Sequence, residues 1–194
     1  ASFRLSLSTC IPSPLCGGGC YAHDGRERVT STILSGCYNT LIAEFWEQGI
    51  VTDEMLVPHI KKAADLALVD AKFAQKEYGL KIRARIRLAH VGELSAFPKF
   101  ANWLGTQIRK VSKNRVDGII YTRHPNIKLL DVNALVVNLT IDEKSESRRK
   151  WQRDGVRVVW SAWDGKLDPQ AKVNFLEHHD HGQHAEPKGE GAVC

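Results

Sequence analysis

The chain has 194 residues, of which 43% are hydrophobic and 25% charged. That is enough apolar material for one domain with a buried core, and it excludes wholesale disorder. The net charge is +5 and the sequence pI is near 9.0. This mild basicity is scattered over Lys61–Lys62, Arg83, Arg85 and Arg87, and Arg148–Arg149–Lys150. No aromatic-interleaved basic stripe appears, so these charges read as solvated faces, and contact with nucleic acid is permitted but not required. No run approaches a membrane span, and Ala1–Thr9 lacks the apolar core and cleavage site of a signal peptide. The expected location is the cytoplasm, with no membrane partner. Thiols are reduced there, so clustered cysteines suggest metal rather than disulfides.

In chain order, Phe3–Ser8 alternates like a short strand. A loop rich in Pro, Gly and Cys follows from Cys10 to Asp24. Thr30–Gln48 reads as a helix with Ile33, Leu34, Leu41, Ile42 and Phe45 as its apolar face, stopped by Gly49. Thr52 is the expected N-cap of a second helix running to Tyr78 and closed by Gly79. Lys81–Ala89 alternates Ile82, Ala84, Ile86 and Leu88 against Lys81, Arg83, Arg85 and Arg87, a strand with one buried face. After the turn His90-Val91-Gly92-Glu93, a helix is expected over Pro98–Lys113. Strands follow over Gly118–Thr122 and Ala134–Leu139, then a short helix over Ser147–Arg153 and a strand over Val156–Trp160. From Asp164 onward the sequence reads as a polar, irregular segment with His178, His179, His181, His184 and Cys194. The expected division is an α/β iron–sulfur domain over 1–163 and this C-terminal segment over 164–194.

Alternating strands and helices imply a parallel sheet. Ligands of such sheets sit beyond the carboxyl ends of the strands. The cysteine loop, the His90–Glu93 turn, the Tyr121–His124 turn and the Thr140–Asp142 turn all follow expected strands, so they should gather on one rim.

The loop reads Cys10-Ile-Pro-Ser-Pro-Leu-Cys16-Gly-Gly-Gly-Cys20-Tyr21-Ala22. Thiolates are soft ligands suited to zinc and iron–sulfur clusters. The glycine run lets the backbone wrap a bulky group and aim N–H donors at it. Structural zinc takes four ligands, often from paired knuckles. Three cysteines with an open fourth position suit a cluster with one exchangeable iron better, although His23 lies near. Cys37, among Ile33, Leu34 and Leu41, reads as a small buried thiol. The histidine group could take zinc or nickel, alone or with Cys194, but a polar tail is the simpler reading. Trp103, Trp151, Trp160 and Trp163 read as core or surface aromatics.

The three-cysteine loop after a first strand, with an aromatic beside the last cysteine, resembles the radical S-adenosylmethionine (SAM) superfamily. Its form Cys-x₅-Cys-x₃-Cys-Tyr-Ala resembles a related phage family, the gene-product-eighty-eight-like proteins. Arg87-Leu-Ala-His-Val-Gly92-Glu93, Tyr121-Thr122-Arg123 and Asn138-Leu-Thr140-Ile-Asp142 resemble further landmarks of that family. The likeness spans roughly Leu5 to Asp142. It departs from the common Cys-x₃-Cys-x₂-Cys spacing and has one glycine, Gly92, before the acidic residue where two are usual.

The resemblance implies a radical SAM-like fold, a partial (β/α) barrel or an open parallel sheet of about five to six strands. It implies a [4Fe–4S] cluster on Cys10, Cys16 and Cys20, with SAM on the fourth iron. Among the implied cofactor-binding residues Gly92, Glu93, Arg123, Thr140 and Asp142, Glu93 would accept a hydrogen bond from the SAM ammonium, Arg123 or a backbone amide would meet its carboxylate, and Thr140 or Asp142 its ribose hydroxyls. The activity implied is SAM cleavage that starts radical chemistry on an unidentified substrate, fed by an electron donor. Two alternatives stand beside it. Cys194 as a fourth thiolate would give a non-enzymatic iron–sulfur protein. A zinc-binding module touching nucleic acid through the basic surface is the other.

Overall fold

The computed structural model describes residues 3–11, 29–89, 91–162 and 167–176. Its centre is an open parallel sheet of five strands: β1 (Ala84–Leu88), β2 (Val116–Thr122), β3 (Leu135–Ile141), β4 (Val156–Ala162) and β5 (Val173–Leu176). The strands lie side by side in chain order, and every neighbouring pair is parallel. Among the described strands the winding does not reverse, so they form no switch-point crevice of the doubly wound kind.

Two helices precede the sheet, α1 (Thr30–Glu47) and α2 (Asp53–Tyr78), and α3 (Pro98–Val111) joins β1 to β2. α2 runs from Thr52 to Gly79 as the sequence predicts, with Gly79 in the left-handed conformation at its end. Thr52 stands at the N-cap position, but its hydroxyl makes no capping bond to the backbone. α2 packs on β1 and α3 on β2, which buries the alternate residues Ala84, Ile86 and Leu88 together with Val116, Ile120, Leu135, Val137 and Leu139. The short helix expected over Ser147–Arg153 is a 3₁₀ turn over Glu146–Trp151.

Phe3–Ser8 is not a strand of the sheet. Phe3 N–H donates to Arg87 O at 3.0 Å and Leu5 N–H to Val91 O at 2.8 Å, so an extended segment runs along the open edge of β1. It then tightens into a 3₁₀ turn over Leu7–Thr9, where the Ser6 side chain accepts from Ser8 N–H. This puts Cys10 at the carboxyl end of the sheet.

That segment also overturns the expected apolar face of α1. Of that face only Ile42 packs, half-buried, against the core; Ile33, Leu34, Leu41 and Phe45 are exposed, while Gly36, Thr40 and Ala43 are buried. The reason is close approach. A Cβ on Gly36 would stand 2.9 Å from Leu5 O. Thr40 Oγ1 accepts from Ser6 N–H at 2.9 Å and donates to Gly36 O. Only small side chains let the N-terminal segment lie against this helix. Cys37, expected to be buried, is exposed on the other side.

β5 lies inside the segment that the sequence reads as irregular. Its four residues are too few to show an alternation. The histidine group, Trp163 and Cys194 fall outside the described residues. No described helix is long and apolar enough to cross a membrane.

Candidate functional site

The expected rim forms at the carboxyl ends of β1, β2 and β3. Glu93 ends the turn after β1, Arg123 follows β2, and Asp142 follows β3. The chain leaves β1 through two left-handed residues, Ala89 at φ 58° and Gly92 at φ 75°. Ala89 is buried in a conformation unfavourable for a side-chain-bearing residue, a strain that packing must hold in place.

Glu93 is only 4% exposed. Its N–H donates to Thr9 Oγ1 at 2.7 Å, and Thr9 Oγ1 donates to Ser6 O at 2.8 Å. The residue before Cys10 is thus tied to the glutamate. Glu93 Oε2 accepts from Arg123 N–H at 3.2 Å, whereas Oε1 is buried without a hydrogen-bond partner. Ser95 Oγ donates to Thr122 Oγ1 at 2.8 Å, and Thr122 Oγ1 accepts from His124 N–H at 3.0 Å. Burial pushes the Glu93 carboxyl above the ordinary carboxylate range; Thr122, the Arg123 amide and Ser95 pull it back.

This shift has a testable consequence. An ordinary glutamate titrates near ~4.3. Above that pH the unfolded chain loses the proton first, while folded Glu93 still holds it. Stability therefore falls as pH rises, until the raised folded pKa is passed. Glu93→Gln removes this slope. Urea midpoints measured from pH 4.5 upward should converge on, or cross above, those of the native chain as pH rises. Parallel curves would show that Glu93 titrates normally.

Asp142 is fully buried. Its Oδ1 accepts from Lys144 N–H at 3.1 Å, and its own N–H donates to Ser145 Oγ at 2.9 Å. Arg123 Nη2 lies 3.7 Å from Asp142 Oδ2. Glu93, Arg123 and Asp142 are thus brought together, and Gly92 makes the turn that presents them. Thr140 is half-buried on β3, and among the described residues no hydrogen bond joins it to the other three. After β2, His124 Nδ1 accepts from Asn126 N–H at 3.0 Å, and burial lowers its pKa, so the neutral ring is favoured.

Cys10 is half-buried at the start of its loop; Cys16, Cys20 and Cys194 lie outside the described residues. Among the described residues no three His, Cys, Asp or Glu side chains gather as a metal site. Comparison with family models, characterised proteins and solved structures gives no match to this chain.

Thr9 and Ser95 were not among the residues the sequence singled out, and Thr122 stood only inside the Tyr121–Arg123 landmark with no role of its own. Hydroxyl residues carry no spacing signal of their own. Only the place of Thr9 beside Cys10 hints at its role.

Proposed function

We propose that this chain is an iron–sulfur protein of radical SAM-like type, with a [4Fe–4S] cluster on Cys10, Cys16 and Cys20 and SAM bound at the rim. The observation that carries this reading is the tether between the cysteine loop and Glu93. The Glu93 amide holds Thr9, and Cys10 is the next residue.

The donor set fits the group. Glu93 Oε1 is a buried acceptor with no partner, which suits an ammonium donor. Arg123 is 20% exposed at its side chain, so its guanidinium can meet a carboxylate, and Asp142 beside it orients it. Full burial makes Asp142 a positioning residue for Arg123 and leaves Thr140 as the hydroxyl for a ribose contact. When bound, cluster and SAM supply reductive cleavage of a sulfonium, which starts hydrogen abstraction from a substrate. The protein's own part is to hold the ammonium on Glu93, to orient the carboxylate through Arg123 and to keep the carboxyl of Glu93 out of water.

Purified without oxygen, the chain should be brown, with iron and sulfide in equal amounts. Cys10→Ala should remove most of the iron without unfolding the sheet. A colourless protein with stoichiometric zinc would overturn the proposal. Cys194→Ala then separates two forms of it. Unchanged iron content and release of 5′-deoxyadenosine with SAM and a strong reductant support an open iron. Loss of iron would assign Cys194 as the fourth ligand and remove the SAM chemistry.

A further inference from the structure

The sheet has a second face, opposite α2 and α3. Strand register places Arg85 and Arg87 of β1 on it, with Asp117, Ile119 and Tyr121 of β2, Val136, Asn138 and Thr140 of β3, and Arg157 and Val159 of β4. Ile119 and Val159 are buried but lie outside the main core cluster, as expected for a separate face.

The charge on this face does not balance. Asp117 is taken by Arg83, with Nε–Oδ2 at 2.5 Å, and by Arg109 at 3.4 Å. Asp142 at the rim faces Arg123. Arg85, Arg87 and Arg157 are exposed, and among the described residues no carboxylate pairs with any of them. Arg87 instead lies over the Tyr121 ring, 5.2 Å from its centroid. Arg85 and Arg87 are two residues apart on one strand face, roughly 7 Å, which is within a Debye length, so they repel each other. Arg157 stands level with Asn138, and Asn138 level with Tyr121, in one row across the sheet. Arg157 also borders a groove of about 510 Å³ at the amino end of β4, lined with it by Gln152, Gln170 and Lys172 and by Val156 and Val158 of the helix-covered face, so the groove lies at the strand's end and not on this face.

We infer that this face binds a small molecule carrying two or more phosphate or carboxylate groups. One anionic group sits at Arg85 and Arg87, and another at Arg157. The body of the ligand lies over Tyr121. Three strand spacings, about 14 Å, separate the backbones of β1 and β4. A linear polyanion is long enough to meet extended arginine side chains at both ends, whereas a single phosphate reaches one end only. Identifying this ligand as the substrate rests on the proposed function, because the face leads to the Glu93 rim. The binding itself needs no cluster.

The test is calorimetric titration with tripolyphosphate, citrate and orthophosphate, run on the native chain and on Cys10→Ala. Tripolyphosphate or citrate should bind both proteins at least ~10-fold more tightly than orthophosphate, and the better of the two names the preferred group. Arg87→Gln and Arg157→Gln should each weaken that binding about 10-fold or more, as expected for a lost charge-assisted contact. Lys62→Gln, on α2, should leave it unchanged. Because the two arginines are exposed and lie on different strands, failure of one variant to fold leaves the other as the test. No binding, equal binding by the arginine variants, or binding only of a single-stranded oligonucleotide would overturn the inference. If the arginine-dependent binding holds while anaerobic protein carries no iron, the anion face stands and the cluster reading falls.

Discussion

Gly92→Ala should destabilise the fold by about 2–4 kcal/mol and displace the start of the cysteine loop. Two effects add. At φ 75° a side chain is strained, for roughly 1 kcal/mol. The new Cβ would also stand 2.6 Å from Ser6 O, 2.8 Å from the Leu5 side chain and 2.8 Å from Thr9 Oγ1. One of these is backbone, so the N-terminal segment has to shift, an overpacking cost of about 1–3 kcal/mol. Gly79→Ala separates the two effects. Gly79 has a similar φ of 68° but nothing within 4 Å of its would-be Cβ. That variant should lose only the conformational part. Urea unfolding of both variants gives the comparison, and equal losses would mean that the N-terminal segment yields freely. Because Thr9 is among the groups displaced, Gly92→Ala should also lower iron content under the proposed function, and Gly79→Ala should not.

Asp53→Ala should cost about 2–4 kcal/mol and lower the melting temperature on the order of 10 °C. Asp53 is the first residue of α2. Its Oδ1 accepts from Trp46 Nε1 of α1 and its Oδ2 from Trp103 Nε1 of α3, both at 2.9 Å. The two indoles are 4.8 Å apart, and Phe100 packs 5.5 Å from Trp46 and 5.6 Å from Trp103. One carboxylate therefore joins three helices over an aromatic cluster. Its negative charge also suits the amino end of α2. Glu47 Oε1 adds to the junction by accepting from Phe100 N–H at 3.0 Å, near the start of α3. Asp53→Asn keeps one acceptor oxygen and should lose roughly half as much. Thermal unfolding followed by tryptophan fluorescence reads both the stability and the junction. A loss for Asp53→Ala below ~0.5 kcal/mol would show that ring packing alone holds the helices.

Much of the site was legible because each of its residues follows a strand with a plain local signal. The Arg-Ile-Arg-Leu alternation marked β1 and so placed the Gly92–Glu93 turn. The apolar runs of β2 and β3 placed Arg123 and Asp142. The same method failed on α1, where apolar periodicity pointed to Ile33 and Leu41. There the segment carrying Leu5 and Ser6 packs on Gly36 and Thr40 instead. A backbone that needs small neighbours leaves no hydrophobic pattern to read. Cys37 followed α1 into the same error.

The sequence by itself determined β1 to β4 and the three long helices, the start and end of α2, and that the turns after β1, β2 and β3 share a rim. These depend on residues close together in the chain, where helix and strand periods and capping residues act. The tertiary structure decided that the strands lie in unreversed order, that Glu93 is buried with one oxygen unpartnered, and that Arg85, Arg87 and Arg157 share one face with no carboxylate partner among the described residues. Desolvation and charge balance depend on distant pairs. Arg83 meets Asp117 across 34 positions, and Thr9 meets Glu93 across 84.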